Sequence, residues 1–254
     1  MSFDVGADAY DRFMGRYSEP LAAKFVALAG VTNGQQAVDV GCGTGALTAK
    51  LVERLGAGAV SAIDPSESFV EAVRSRFPAV DVHHAVAERL PFPDDSFDAA
   101  LAQLVVHFMK DPVAGLGEMA RVTRAGGLVA ACVWDHAGGT GPLAVFWRAV
   151  HELDPDAQDE SGLAGAREGH LAELFAAAGL QQIESAVLTV RVTSASFDEW
   201  WEPFMLGVGP SGSYVARLDA TRRDELRARC AQLLPQGRAI EIVASAWTAL
   251  GRAQ

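Results

Sequence analysis

The stretch VDVGCGTGAL, residues 38–47, decides the fold. A short apolar run carrying one acid, Asp39, leads into glycines at 41, 43 and 45, and an amphipathic stretch follows as far as Gly56. That order reads as a strand, a tight loop and a helix. Glycine is needed where the backbone turns through positive φ or lets a ligand come closer than a Cβ allows. The first N–H groups of the helix lack intrahelical partners and carry a partial positive charge, so a polar or anionic ligand group belongs beside them. Asp39 narrows the choice. A buried carboxylate is costly unless paired; this one would repel a pyrophosphate but suits loop N–H groups or the ammonium of an amino-acid ligand.

Working outward, Asp64 closes the next apolar run, AVSAID, 19 residues beyond Gly45. In a doubly wound sheet that place lies beside the glycine loop at the carboxyl edge, where a carboxylate can accept both hydroxyls of a ribose. Loop and acid together describe an adenosine-containing ligand. Further apolar runs, VDVHHAV, FDAALAQ and GLVAACVW, alternate with the amphipathic SESFVEAVRSRF and AGLGEMARVT, and Gly126–Gly127 reads as the turn before the last run. Strand and helix alternating in this way build an α/β, doubly wound, mostly parallel sheet covered on both faces. Residues 8–30 read as a helical cap in which Pro20 opens a second helix. After Trp134 the pattern loosens; a helix is expected over 168–178, a strand over 183–192 and helices over 196–238. IEIVASAWTALGR, at the end, fits a strand or a helix equally. One domain over 1–254 accounts for the whole.

Composition removes several classes. Twenty-one basic against 32 acidic side chains give a net charge of −11, the wrong sign for a nucleic-acid or anionic-membrane footprint. No apolar stretch approaches the roughly 20 residues that span a bilayer, and the first residues lack the basic start and apolar core of a signal peptide. Three scattered cysteines, Cys42, Cys132 and Cys230, suggest a reducing cytoplasm. Cysteines and histidines show no metal-ligand spacing, so no metal is expected. A P-loop is absent, since Lys50 stands outside any G-x-x-x-x-G-K-[ST]. The rival to be weighed is an NAD(P)-dependent oxidoreductase, because Gly41, Gly43 and Ala46 also satisfy G-x-G-x-x-A. Its short-chain form needs Tyr-x-x-x-Lys, but Tyr10, Tyr17 and Tyr214 are followed four residues later by Met14, Leu21 and Leu218.

With VDVGCGTG at 38–45, AIDPS at 62–66, AERLPFPDDSFD at 87–98 and EMARVTRAGGLVAACVW at 118–134, the chain resembles the class I S-adenosylmethionine-dependent methyltransferases. Within them it is similar to the small-molecule branch that includes quinone-biosynthesis enzymes. The resemblance covers about residues 36–136 and implies a seven-stranded Rossmann-like sheet. It also implies S-adenosyl-L-methionine as cofactor, S-adenosyl-L-homocysteine as product and a small-molecule methyl acceptor. Carried over residue by residue, Gly41, Cys42, Gly43 and Gly45 approach the methionine part of the cofactor with Asp39 near its amino group. Asp64 holds the ribose hydroxyls, Pro65 and Ser66 flank the adenosine, the backbone of Ala87 and Glu88 meets the adenine, and Gln103 lines the reaction side. Many relatives carry Asp just before the Ala-Glu pair, where this chain has Val86, which leaves adenine recognition to the backbone. A non-catalytic cofactor-binding or regulatory protein would share all of these residues.

Methyl transfer from a sulfonium needs the nucleophile held in line in a water-excluded pocket, and positioning supplies most of the acceleration. If the acceptor must lose a proton, His107 in LVVHFMKDP is the expected base. Tyr10 and Arg16 of the cap would cover the cofactor, Arg16 as a fork on its carboxylate. Trp134, at the carboxyl edge, and Trp200 and Trp201 in FDEWWEPF would line an apolar acceptor pocket.

Overall fold

The apolar runs form seven strands: β1 (Ala37–Val40), β2 (Val60–Asp64), β3 (Asp81–His84), β4 (Phe97–Gln103), β5 (Thr123–Trp134), β6 (Gln181–Ser194) and β7 (Ile240–Arg252). They hydrogen-bond in the order β3-β2-β1-β4-β5-β7-β6, with β1 to β5 parallel and β7 antiparallel to both of its neighbours. The computed structural model describes residues 6–235, 237 and 239–254; the end of the stretch expected to be helical, at 236 and 238, lies outside the described residues.

All four residues of β1 are buried, as a central strand covered on both faces requires. Helices α1 (Ala7–Tyr10), α2 (Arg16–Ala29), α3 (Ala46–Leu55), α4 (Glu67–Arg76), α5 (Pro112–Val122), α6 (Ala144–Leu153) and α7 (His170–Ala177) are followed by α8 (Phe197–Trp201), α9 (Gly209–Arg217) and α10 (Ala220–Leu233). Leu21 and Phe25 of α2, Leu51 of α3 and Val70 of α4 belong to one apolar core, and Leu116 and Met119 of α5 and Phe175 of α7 to a second. These two cores lie on opposite faces of the sheet. Strand order reverses between β1 and β4, and the carboxyl ends of those strands open the crevice in which ligands of such sheets bind. Among the described residues no helix is long and apolar enough to cross a membrane.

Three expectations change. IEIVASAWTALGR is a strand: Ile240, Ile242, Ala244 and Ala246 are buried at every second position, the period of a strand and not of a helix. Pro20 does not open a helix. It sits inside α2, which is entered through a π-helical turn, Asp11–Gly15. Gly126–Gly127 is a bulge within β5, because Phe97 pairs with Thr123 while Ala99 pairs with Leu128.

Candidate functional site

β1 ends in the glycine loop, and all three glycines have positive φ: +76° at Gly41, +52° at Gly43 and +92° at Gly45. The loop is anchored to the next strand, for the N–H groups of Gly41 and Cys42 donate to the Ile63 carbonyl at 2.8 and 2.9 Å. A Cβ on Gly41 would stand 2.5 Å from a methyl of Val105, whereas one on Gly43 would meet nothing closer than Tyr10 at 3.9 Å. Gly41 is therefore required by packing, and Gly43 leaves a cradle open. With Asp39, Ser18, Cys42, Thr44, Gln103 and Tyr10, these glycines line a cleft of about 320 Å³.

Asp39 is fully buried. Its Oδ2 accepts the Thr48 hydroxyl at 2.6 Å, and its Oδ1 has no partner. Burial raises its pKa to about 7, against the lowering effect of the Thr48 bond. Unfolded, the group titrates near 4, so between about pH 4 and pH 7 the folded chain holds a proton that the unfolded chain has lost. Stability then falls as pH rises through that window. An Asp39→Asn chain is expected to lose this contribution and to keep that of Glu160, whose carboxyl burial also raises to about 7, so its stability should fall less steeply in urea titrations at pH 5, 6, 7 and 8.

Asp64, at the end of β2, ties the loop to the turn after the strand. Its Oδ2 accepts the Gly43 N–H at 2.9 Å and its Oδ1 the Ser66 N–H at 2.8 Å. Burial raises its pKa, and those two N–H groups oppose the rise. Each oxygen keeps a lone pair for a ligand hydroxyl. Pro65 is held by His84, whose Nε2 lies 2.8 Å from the Pro65 carbonyl and whose Nδ1 lies 2.9 Å from Glu67; sequence reading missed this clamp. Gln103 donates to the Ser18 carbonyl at 3.1 Å and leaves its Oε1 without a partner.

Ala87 and Glu88, expected to act through their backbone, turn their side chains away from the cleft. The Ala87 side chain packs in the core beneath α5, and Glu88 accepts the backbone N–H groups of Lys110 and Asp111 at 2.7 and 3.2 Å, so neither side chain enters the cleft. Val86 is exposed. Tyr10 does cover the cleft, its ring 5.4 Å from that of Phe69. Arg16 does not, and the reading of it as a fork on the cofactor is corrected. Its guanidinium reaches the Ser194 hydroxyl and the carbonyls of Glu199 and Trp200, each at 3.4 Å. The π-turn before α2 adds one residue to the helical repeat and so rotates the side chains of α2 by about 100°. An Arg16→Ala chain is expected to bind S-adenosylhomocysteine within about twofold of the unaltered chain, measured by calorimetry.

A second cavity, about 410 Å³, adjoins the first, and Tyr10 and Leu104 line both. Leu104 holds φ at +62°, a strained conformation for a bulky residue, at the boundary between them. The wall is largely apolar, from Phe13, Met14, Leu143 and Val208, and includes Trp134 as expected. Trp200 and Trp201 are not in it. They are buried against Phe204 and Phe197, and Phe204 in turn backs Phe13 of the wall. Their reading as acceptor-binding residues is corrected, because apolar burial within the helical segment claims both rings.

His107 stands in this wall. Burial holds its pKa well below the usual histidine value, so it is neutral near pH 7 and its Nδ1 has no partner. Two further groups in the wall escaped sequence reading: His136, its ring 5.9 Å from that of His107, and Glu160. Both lie in the connection after β5, where no periodicity marks them. Among the described residues no group of three or more His, Cys, Asp or Glu could hold a metal ion.

Residues 38–131 match the family described as "Methyltransferase domain". The chain is 36% identical over 135 residues to an uncharacterized methyltransferase of Mycobacterium tuberculosis, an alignment covering 53% of this chain and 52% of that one. It is 35% identical over 103 residues to a demethylmenaquinone methyltransferase of Lysinibacillus sphaericus, covering 39% and 44%. A solved Haemonchus contortus N-methyltransferase, in complex with phosphomonomethylethanolamine and S-adenosylhomocysteine, superposes with a TM-score of 0.57 at 16% identity, covering 100% of this chain and 61% of that one. Over residues 38–131 the chain is similar to methyltransferases. The match lies on the first five strands of a Rossmann-like seven-stranded sheet, and the chain spans about half the length of the curated relatives it matches.

Proposed function

We propose that the chain transfers a methyl group from S-adenosyl-L-methionine to a small-molecule acceptor in the cytoplasm. The observation that carries this reading is the unpartnered Asp39 Oδ1, buried in the cleft of the glycine loop. A buried carboxylate oxygen without a partner is costly, and the ammonium of the methionine moiety would satisfy it. Gly43 leaves room for that moiety, and Asp64 stands beside it with lone pairs free for ribose hydroxyls. The bound sulfonium supplies an electrophilic methyl group.

The rest falls to the chain's own residues. Tyr10 and the cap exclude water, and Leu104 separates the two cavities. Phe13, Met14 and Trp134 receive an acceptor whose body is apolar. Three cysteines, all buried and unpaired, suit a reducing compartment. The test is calorimetric titration with S-adenosylhomocysteine and, separately, with NADH. Micromolar binding of the first and none of the second is expected; binding of NADH alone would assign the loop to a dinucleotide.

A further inference from the structure

We propose that Glu160 is a catalytic residue that takes the proton from a hydroxyl-bearing acceptor, an aromatic alcohol or enol, held in the second cavity by Trp134 and His107. The inference rests on the methyltransferase reading and names the acceptor chemistry of that site. Three polar atoms of this otherwise apolar wall are buried without any partner: the Trp134 indole N–H, His107 Nδ1 and Glu160 Oε2. Native structures rarely leave such groups unsatisfied, and three around one cavity point to a ligand that satisfies them.

Their types select it. Indole N–H only donates, and a carboxylate only accepts. An ammonium has donors alone and no lone pair with which to take a methyl group, and a neutral amine, which has one, gives up its proton only after the methyl is bound and needs no base beforehand. A ketone or ether has acceptors alone and would leave Glu160 unpaired. A hydroxyl does both, accepting from Trp134 and donating to Glu160, while the neutral His107 ring is able to take either role. The apolar wall of Phe13, Met14, Leu143 and Val208 then receives a ring and not a sugar.

Glu160 suits the proton better than His107 does. The carboxyl is raised by burial to about 7, with the Trp147 indole opposing the rise. That value is near the pH at which a general base works best, whereas burial makes the His107 ring a weak base. Around Glu160 stand Asp159 of its own loop, which lies 3.7 Å from His151 of α6, Trp147 and Arg148 of the same helix, His136 after β5, His107 after β4 and Tyr10 of the cap. His136 is driven down to about 4 by burial, and the Arg148 guanidinium is turned to Glu152, its Nε 3.4 Å from the Oε1 of that residue. In the step, the acceptor O–H bond breaks and its proton forms a new O–H bond on Glu160. The acceptor oxygen bonds to the methyl carbon, and the sulfonium sulfur keeps the electron pair of the broken C–S bond.

The test uses the full chain with S-adenosylhomocysteine bound and 4-nitrophenol as probe, because absorbance shows whether the bound probe is phenol or phenolate. Glu160→Gln and Glu160→Ala are compared with the unaltered chain. All three are expected to bind S-adenosylhomocysteine equally, which also reports that they fold. The unaltered chain is expected to bind 4-nitrophenol about tenfold or more tightly than either variant at pH 7, where carboxyl and probe share one proton, the effect of one charge-assisted hydrogen bond. Its bound probe should also keep the proton to a higher pH than probe bound to Glu160→Gln. Equal affinity and equal titration in the three chains, or no binding of the probe to the unaltered chain, would overturn the assignment of Glu160. Failure of S-adenosylhomocysteine to bind the unaltered chain would instead overturn the reading of the site itself.

Discussion

An Asp64→Ala chain is expected to bind S-adenosylhomocysteine at least about 100-fold more weakly than the unaltered chain. Two losses add. The carboxylate holds the N–H groups of Gly43 and Ser66, so its removal frees both ends of the loop that shapes the cradle. It also takes away the acceptor for the ribose hydroxyls, and hydrogen bonds to a charged group are each worth about 1.5–3 kcal/mol. Two such bonds correspond to a hundredfold or more in affinity. Asp64→Asn is the informative companion, since its amide oxygen keeps one acceptor and its affinity should fall between the two. Calorimetry on the three chains checks the order. Equal affinity in all three would place the ribose away from β2.

A Gly41→Val chain is expected to lose about 3–6 kcal/mol of stability. Its Cβ would stand 2.5 Å from Val105 Cγ2 and 2.6 Å from Cγ1, and a β-branched residue would have to hold φ near +76°. Overpacking costs about 1–3 kcal/mol and backbone strain a similar amount. A chain of this length shifts by about 2–4 °C per kcal/mol, so the midpoint of thermal unfolding should drop by roughly 6–24 °C. Gly43→Ala provides the contrast. Its Cβ would meet only Tyr10, at 3.9 Å, so stability should fall by only about 1 kcal/mol, while the methyl group occupies the cradle and weakens S-adenosylhomocysteine binding. Thermal melts with and without ligand separate the two glycines: one holds the loop together, the other keeps it open.

The part of the site that sequence reveals is the part built by local chemistry. Glycines at 41, 43 and 45, an acid inside the strand before them and an acid at the end of the next strand are constraints written within 30 residues, and the structure places them side by side. Arg16 shows where that reasoning ends. Helical periodicity assumes an uninterrupted repeat, and the π-turn at Asp11–Gly15 inserts a residue that no pattern of apolar positions reveals. Trp200 and Trp201 show a second limit, since a ring that fills a core and a ring that lines a pocket have the same composition signal. His136 and Glu160 show a third. They reach the second cavity from irregular segments on either side of α6, and only tertiary packing brings them to His107. The strand β7 was open for a simpler reason: both periods fit 13 residues rich in alanine, and pairing with β5 and β6 decided between them.

The most direct test is a crystal structure of the chain with S-adenosylhomocysteine. The expected result places the amino group of the homocysteine within hydrogen-bonding distance of Asp39 Oδ1, the ribose on Asp64, and the sulfur at the boundary between the two cavities near Leu104. Ligand density away from the glycine loop, or a homocysteine amino group that leaves Asp39 Oδ1 unpaired, would contradict the reading of this cleft as a methyl-donor site.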